Sequence, residues 1–214
     1  MQIIKTNKKF TGLLPLLLFF IISTLFTTKA NAQKGLEVQN DTLTKSVLIH
    51  PVIKTKEHES LFTREHTYRK QLRLGDQLAR DFVVSNIAED GRPIIYKNDG
   101  KQNSDYFSWE RKVFAPFDAK VKRINEPNST NKPGNMNRNE RPGLIFFEKE
   151  NGLKLIYAHV QNIEVGKGDR VKAGQVVAEV GNNGNSRAPH VHVGAWKNKT
   201  PLQIQVDLYA DQRE

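Results

Sequence analysis

The stretch that most limits what this chain can fold into runs from Ile163 to Gly181. Short β-branched runs, Ile163-Glu164-Val165 and Val176-Val177-Ala178-Glu179-Val180, are broken by glycines every few residues. Gly166-Lys167-Gly168-Asp169 and Ala173-Gly174-Gln175 read as tight turns where a positive φ is needed. No helical period follows these glycines, so they do not form a phosphate loop. The same texture recurs elsewhere. Leu144 to Glu148 and Leu153 to His159 are strand-like runs around Asn151-Gly152, a strong hairpin turn. Val113 to Phe117 and Asp118 to Val121 read as two strands joined by a turn. Many short strands with turn signals between them predict an all-β domain.

Two histidines lie in the last part of this pattern, in Pro189-His190-Val191-His192-Val193. Side chains two apart on a strand share a face. His190 and His192 therefore project together, with Val191 and Val193 on the opposite face. Pro189 suits a strand start, where a missing N–H breaks no ladder. Two imidazoles on one rigid strand suit a metal site or a proton-transfer site. A half-buried strand that happens to carry two histidines has the same local pattern, so the decision rests on the rest of the chain.

Residues 1–32 read as a secretory leader. Lys5, Lys8 and Lys9 precede an apolar run from Leu13 to Phe26, and Ala30-Asn31-Ala32 forms a small-x-small cleavage site before Gln33. The run is short for a membrane span. The expectation is an exported chain, periplasmic or secreted, with no membrane attachment after cleavage. The chain holds 33 Lys+Arg and 23 Asp+Glu. The leader contains four of the bases and no acid, leaving a net +6 beyond it. That weakly favours an anionic partner such as cell wall. No aromatic–basic interleaving or nucleic-acid motif is present, so nucleic acid is set aside. The absence of Cys excludes disulfides, so a core or a metal must stabilise the fold.

Residues 33–76 read as a less regular N-terminal extension. His50 and His58 are expected at surface or loop positions, without partners at ligand spacing. Residues 61–80 fit either a helix or an extended arm. Residues 85–105 are turn-rich and suit a surface loop or hairpin. Residues 125–143, mostly Asn, Pro, Gly and charge, are expected to form a long loop that lines or covers a groove. Residues 77–207 form the β domain, and 208–214 are a tail.

Taken in order, the marks are Val113-Phe114-Ala115-Pro116, Tyr157-Ala158-His159, Gly168-Asp169-Arg170-Val171, Ala173-Gly174-Gln175 and Pro189-His190-Val191-His192. This set resembles the LytM/lysostaphin-type zinc metallopeptidases, which cut peptide cross-links of bacterial peptidoglycan. The likeness spans about 77–207 and is most specific over 144–196. It implies an antiparallel two-layer β-sandwich of duplicated-hybrid-motif type, with Zn2+ in a groove and peptidoglycan peptides as partners. In that family a His and an Asp from an early His-x-x-x-Asp motif bind zinc, together with the second His of His-x-His. His192 matches the latter. His159 and His190 match the two histidines that assist the attacking water and the tetrahedral intermediate.

The early motif departs from the family. Gln77 stands four before Asp81, and Lys101 four before Asp105. Asp81 opens an apolar strand and is preferred, with Asp105 as runner-up. A subgroup of the family carries stretches like Gln77-Leu78-Ala79-Arg80-Asp81-Phe82, Asp105-Tyr106-Phe107-Ser108-Trp109 and Asn131-Lys132-Pro133-Gly134-Asn135-Met136-Asn137. In it the His sits further upstream, which points to His66 if 67–76 loops out. The expected metal set is Asp81, His192 and His66. Two functions remain open at this point: a zinc endopeptidase, or a degenerate domain of the same fold that binds cell wall or regulates another hydrolase. A lipoyl-like carrier, suggested by Gly166 to Gly181 alone, fails because no Lys stands at a hairpin tip with flanking acids.

Overall fold

The structure is a computed structural model, and residues 45–210 are described. The expected leader and its cleavage site lie outside them, as do residues 211–214.

Among the described residues the regular elements are strands and one short 3-10 turn. They are β1 (Ser46–Ile49), β2 (Glu59–Glu65), β3 (Arg80–Ile87), β4 (Pro93–Ile94), β5 (Lys112–Phe114), β6 (Ala119–Asn125) and β7 (Leu144–Glu148). They continue with β8 (Lys154–Ala158), β9 (Val160–Gln161), β10 (Arg170–Val171), β11 (Val176–Val180), β12 (Val191–Lys197) and β13 (Thr200–Val206). The all-β expectation holds. A ten-stranded sheet carries the order β1-β13-β12-β8-β7-β6-β10, with β3 also pairing β12 and β2 pairing β3. The second sheet is β5-β11-β9. One core joins the two: Phe147, Leu155 and Tyr157 from the large sheet lie with Val113, Val177 and Val180 from the small one, all fully buried.

The period-2 alternation sets which face is which. In β7, Ile145 and Phe147 enter the core while Leu144 and Phe146 take the outer face. In β8, Leu155 and Tyr157 point in and Ile156 points out. In β12, Val191, Val193 and Ala195 are buried in the core, which puts His192, Gly194 and Trp196 on the other side. The Tyr157 hydroxyl donates to the Phe114 carbonyl at 3.0 Å, so the buried phenol is satisfied across the sheets. The Asn151-Gly152 turn pairs Glu148 with Lys154, and Gly152 takes φ +79°.

Among the described residues, the extension before residue 77 opens with β1. β1 runs parallel to β13, an exception in an otherwise antiparallel sheet, and brings Val47, Ile49, Val52 and Ile53 into the core. His50 is corrected by this packing. Of the two positions expected, it takes the loop one, directly after β1, but it is buried there, with its ring 6.3 Å from that of Phe114, because β1 carries the chain into the sheet edge. His58 is exposed, as expected. Of the two forms open to 61–80, the extended one is present: β2 runs to Glu65, and turns fill the segment up to Ala79. Residues 85–105 form a β3–β4 hairpin followed by the 3-10 turn.

Candidate metal centre and groove

His66 and Asp81 meet because β2 and β3 form a hairpin with a long excursion at its end. The register sets Glu65 opposite Arg80 and Arg64 opposite Asp81, and the His66 N–H donates to the Ala79 carbonyl at 2.7 Å. Residues 64, 66 and 81 thereby share one face. β3 also pairs with β12, where His192 lies opposite Asp81. Nitrogen and oxygen atoms of His66, Asp81 and His192 all lie within 4.8 Å of one another. His66 Nε2 is 2.9 Å from Asp81 Oδ2, and His192 Nδ1 is 2.9 Å from Asp81 Oδ1.

The hydrogen bonds fix the imidazoles. His192 Nε2 lies 3.0 Å from the Gly75 carbonyl, which can only accept, so Nε2 carries a hydrogen. Its Nδ1 then turns a lone pair toward a carboxylate oxygen, an arrangement that needs a proton or a cation between them. Burial opposes charge on His192, but the hydrogen bond and the negative charge of Asp81 outweigh it and raise the imidazole above its usual value. Burial likewise acts to raise the Asp81 carboxyl, yet hydrogen bonds from His192 and His66 hold it well below the ordinary range. Two imidazoles and a carboxylate around one point are a donor set suited to zinc. The residues present fit the metal: His66, Asp81 and His192 would hold it.

His159 and His190 stand beside this cluster. The ring centroids of His159 are 4.7 Å from His190 and 6.1 Å from His192. His159 follows β8 in the left-handed region at φ +65°, an uncommon state for a non-glycine residue that breaks the strand at the site. Its Nδ1–H donates to the Asn183 carbonyl at 2.8 Å, leaving Nε2 as the acceptor. Burial, then the neighbouring His190 and His192, lower its pKa to about 3. His190 Nδ1 donates to the Ala188 carbonyl at 2.8 Å, and its Nε2 is 3.7 Å from Asp81 Oδ1. Burial lowers its pKa, partly offset by the Asp81 charge.

The two alternatives for the early motif lie elsewhere. Gln77 is buried, and its side-chain amide donates to the Leu72 carbonyl at 2.7 Å, so it closes its own turn. Asp105 accepts from the Asn98 amide and the Gln102 N–H, which makes it a cap of the 3-10 turn rather than a ligand.

Buried amides and one glycine brace the cluster from outside it. Asn183 is fully buried: its Oδ1 accepts from the Gly143 N–H at 2.8 Å and its Nδ2 donates to the Val160 carbonyl at 3.0 Å. Asn131 is buried at the root of the 125–143 loop and donates to the carbonyls of Gly184 and Ser186. Gly194, two positions after His192, is required by a close approach: a Cβ there would fall 1.9 Å from the Gly75 carbonyl oxygen. That contact seats the 67–79 excursion on the sheet and sets the Gly75 carbonyl against His192. A glycine at i+2 from a candidate ligand was the available sequence signal.

The five residues open into a groove of about 1380 Å³ on the outer face of the large sheet. Leu144, Phe146, Ile156 and Trp196 form an apolar floor, and Met136 with Arg138 to Pro142 of the 125–143 loop line one side.

A β domain with a His/Asp/His cluster and two neutral histidines in an open groove has the make-up of a metal-dependent hydrolase. Comparison with known proteins agrees. Residues 105–204 match Peptidase family M23, in keeping with the LytM/lysostaphin resemblance of the sequence, and the cofactor of that family is zinc. The match begins beyond His66 and Asp81, so their place in the site rests on geometry. Among solved structures, a catalytic-domain mutant of the prophage-encoded M23 protein EnpA from Enterococcus faecalis is 18% identical, covering 71% of this chain and 92% of that one (TM-score 0.43). The catalytic domain of lysostaphin from Staphylococcus simulans is 20% identical over 66% and 86% of the two chains (TM-score 0.40). A zinc-containing peptidase from Vibrio cholerae is 18% identical over 70% and 56% (TM-score 0.36).

Proposed function

We propose that this chain is an exported zinc-dependent endopeptidase that hydrolyses peptide cross-links of bacterial peptidoglycan. The observation that carries the reading is the meeting of His66, Asp81 and His192, with His159 and His190 alongside, in an open groove. When bound, zinc supplies Lewis acidity, polarising an amide carbonyl and making water a nucleophile near neutral pH. The side chains supply the rest. His159, held neutral with Nε2 as its basic atom, takes a proton from the attacking water. The same proton passes to the leaving nitrogen as the C–N bond breaks, giving a carboxylate and an amine. His190, its Nδ1–H held by the Ala188 carbonyl, turns Nε2 toward the same point 3.7 Å from Asp81 and orients the attacking water. The 1–32 leader supports export.

His66 argues against the degenerate alternative. The ligand missing at Gln77 is available from the residue that follows β2 instead. The test is the release of new amino groups from cross-linked peptidoglycan by zinc-loaded protein, beside His192→Ala. Release by the wild type alone supports the reading. No release from the zinc-loaded wild type overturns it in favour of a binding domain.

A further inference from the structure

The groove is strongly cationic, and its charge is arranged around the site. Arg64, Arg73, Arg123, Arg138, Arg141 and Arg187 line it, with Asp76, Asp81 and Glu140 as the only acids. All six arginines are exposed. None has a carboxylate within ion-pair distance among the described residues, whereas Arg80 and Arg111, outside the groove, are paired with Glu65 and Glu59. Asp81 is already engaged by His66 and His192, and Glu140 by Ser129 and Asn137. The guanidinium groups are therefore left to face solvent or a ligand.

Sheet order gives their positions. Across the groove the strands run β2, β3, β12, β8, β7, β6. Arg64 on β2 and Arg73 on the excursion after it stand at one rim. Arg123 on β6 and Arg138 and Arg141 on the 125–143 loop stand at the other. The histidines and Asp81 lie between, over an apolar floor. Five strand spacings make the rims roughly 24 Å apart. An extended peptide of about seven residues spans that distance.

We propose that the groove selects anionic peptides, with free carboxylates on both sides of the scissile amide held by the two arginine rims. Arginine's planar fork matches a carboxylate with two parallel bonds, which suits it to this role better than a point charge. Uncharged cross-bridges would lack these contacts. The inference rests on the endopeptidase reading for the position of the cut, but not for the binding.

The experiment uses zinc-loaded protein and two synthetic peptides of one sequence, with side-chain and terminal carboxylates either free or amidated. Hydrolysis and fluorescence anisotropy are measured on both. The free-acid peptide should be favoured by about tenfold or more, through KM and Kd rather than kcat, and raised salt should shrink the preference. Arg64→Gln with Arg73→Gln, or Arg123→Gln with Arg138→Gln and Arg141→Gln, should each reduce the preference while the melting temperature holds. Arg170→Gln, remote from the groove, should leave it unchanged. Equal binding of the two peptides overturns the proposal, as does a preference that survives both sets of arginine changes. Competition by a sulfated polysaccharide as strong as that of the acid peptide also overturns it, since general charge attraction would then suffice. Selective binding without cleavage of either peptide supports the anionic groove and removes only the endopeptidase reading.

Discussion

His66 Nε2 lies 2.9 Å from Asp81 Oδ2, although fifteen positions separate the two residues. Zinc needs nitrogen and oxygen ligands at about 2.0–2.2 Å, so such convergence is a condition for binding. His66→Ala and His192→Ala should each lose stoichiometric zinc after dialysis, measured by metal analysis. Gln77→Ala should keep it, although its turn is weakened. Zinc retained in His66→Ala would remove that residue from the ligand set.

Gly194 and the carbonyl of Gly75 are in contact, with no room for a methyl group. Gly194→Ala should lift the 67–79 excursion from the sheet and cost about 1–3 kcal/mol, as overpacking does. The Gly75 carbonyl would then leave His192 Nε2, so zinc affinity should fall together with the melting temperature. A zinc titration beside a thermal melt reads both.

The histidines should titrate in opposite directions in metal-free protein. His159, lowered to about 3, stays neutral where an unfolded His protonates near 6.5. Between those values the unfolded chain binds the extra proton, so the stability His159 contributes is complete above about pH 6.5 and falls as pH drops. His192 is raised, so its contribution is present below 6.5 and is lost as pH rises through its folded value. Ring-proton NMR should show no His159 titration between pH 7 and 5, while His192 titrates above the ordinary value. Zinc must displace the His192 proton, so affinity should weaken as pH falls.

Asn183 satisfies the Gly143 N–H and the Val160 carbonyl from a buried position. Asn183→Ala should cost about 1–3 kcal/mol for each group left without a partner. The segment that carries the acceptor of His159 would loosen, and the turnover of zinc-loaded enzyme should drop. Zinc content should not change, because none of the three candidate ligands touches Asn183. Activity and metal analysis on the same sample separate the two effects.

Asn131 ties the 125–143 loop to Gly184 and Ser186. Asn131→Ala should free the loop, and limited trypsin digestion should then cut after Arg138 faster than in the wild type. KM should rise if the loop forms a wall of the groove during turnover.

The sequence by itself determined the strand pattern and the pairing of His190 with His192, because both are local. A period of two in β7, β8 and β12 assigns every side chain to a face, and glycines at Gly152, Gly168 and Gly174 mark turns with positive φ. The order of His159 and the later motifs was enough to suggest the family. Only the tertiary structure decided the early half of the site. Gln77 and Asp105 stand at plausible spacing, but hydrogen bonds to Leu72, Asn98 and Gln102 occupy them locally. His66 carries no local sign of its role. It reaches Asp81 through the register of β2 on β3, and register depends on which strands pair across the 67–79 excursion seated by Gly194. The burial of His50 has the same origin, since the parallel pairing of β1 with β13 joins the two ends of the described chain. Contacts of this kind are set by packing between distant segments, and no window of sequence around either partner contains them.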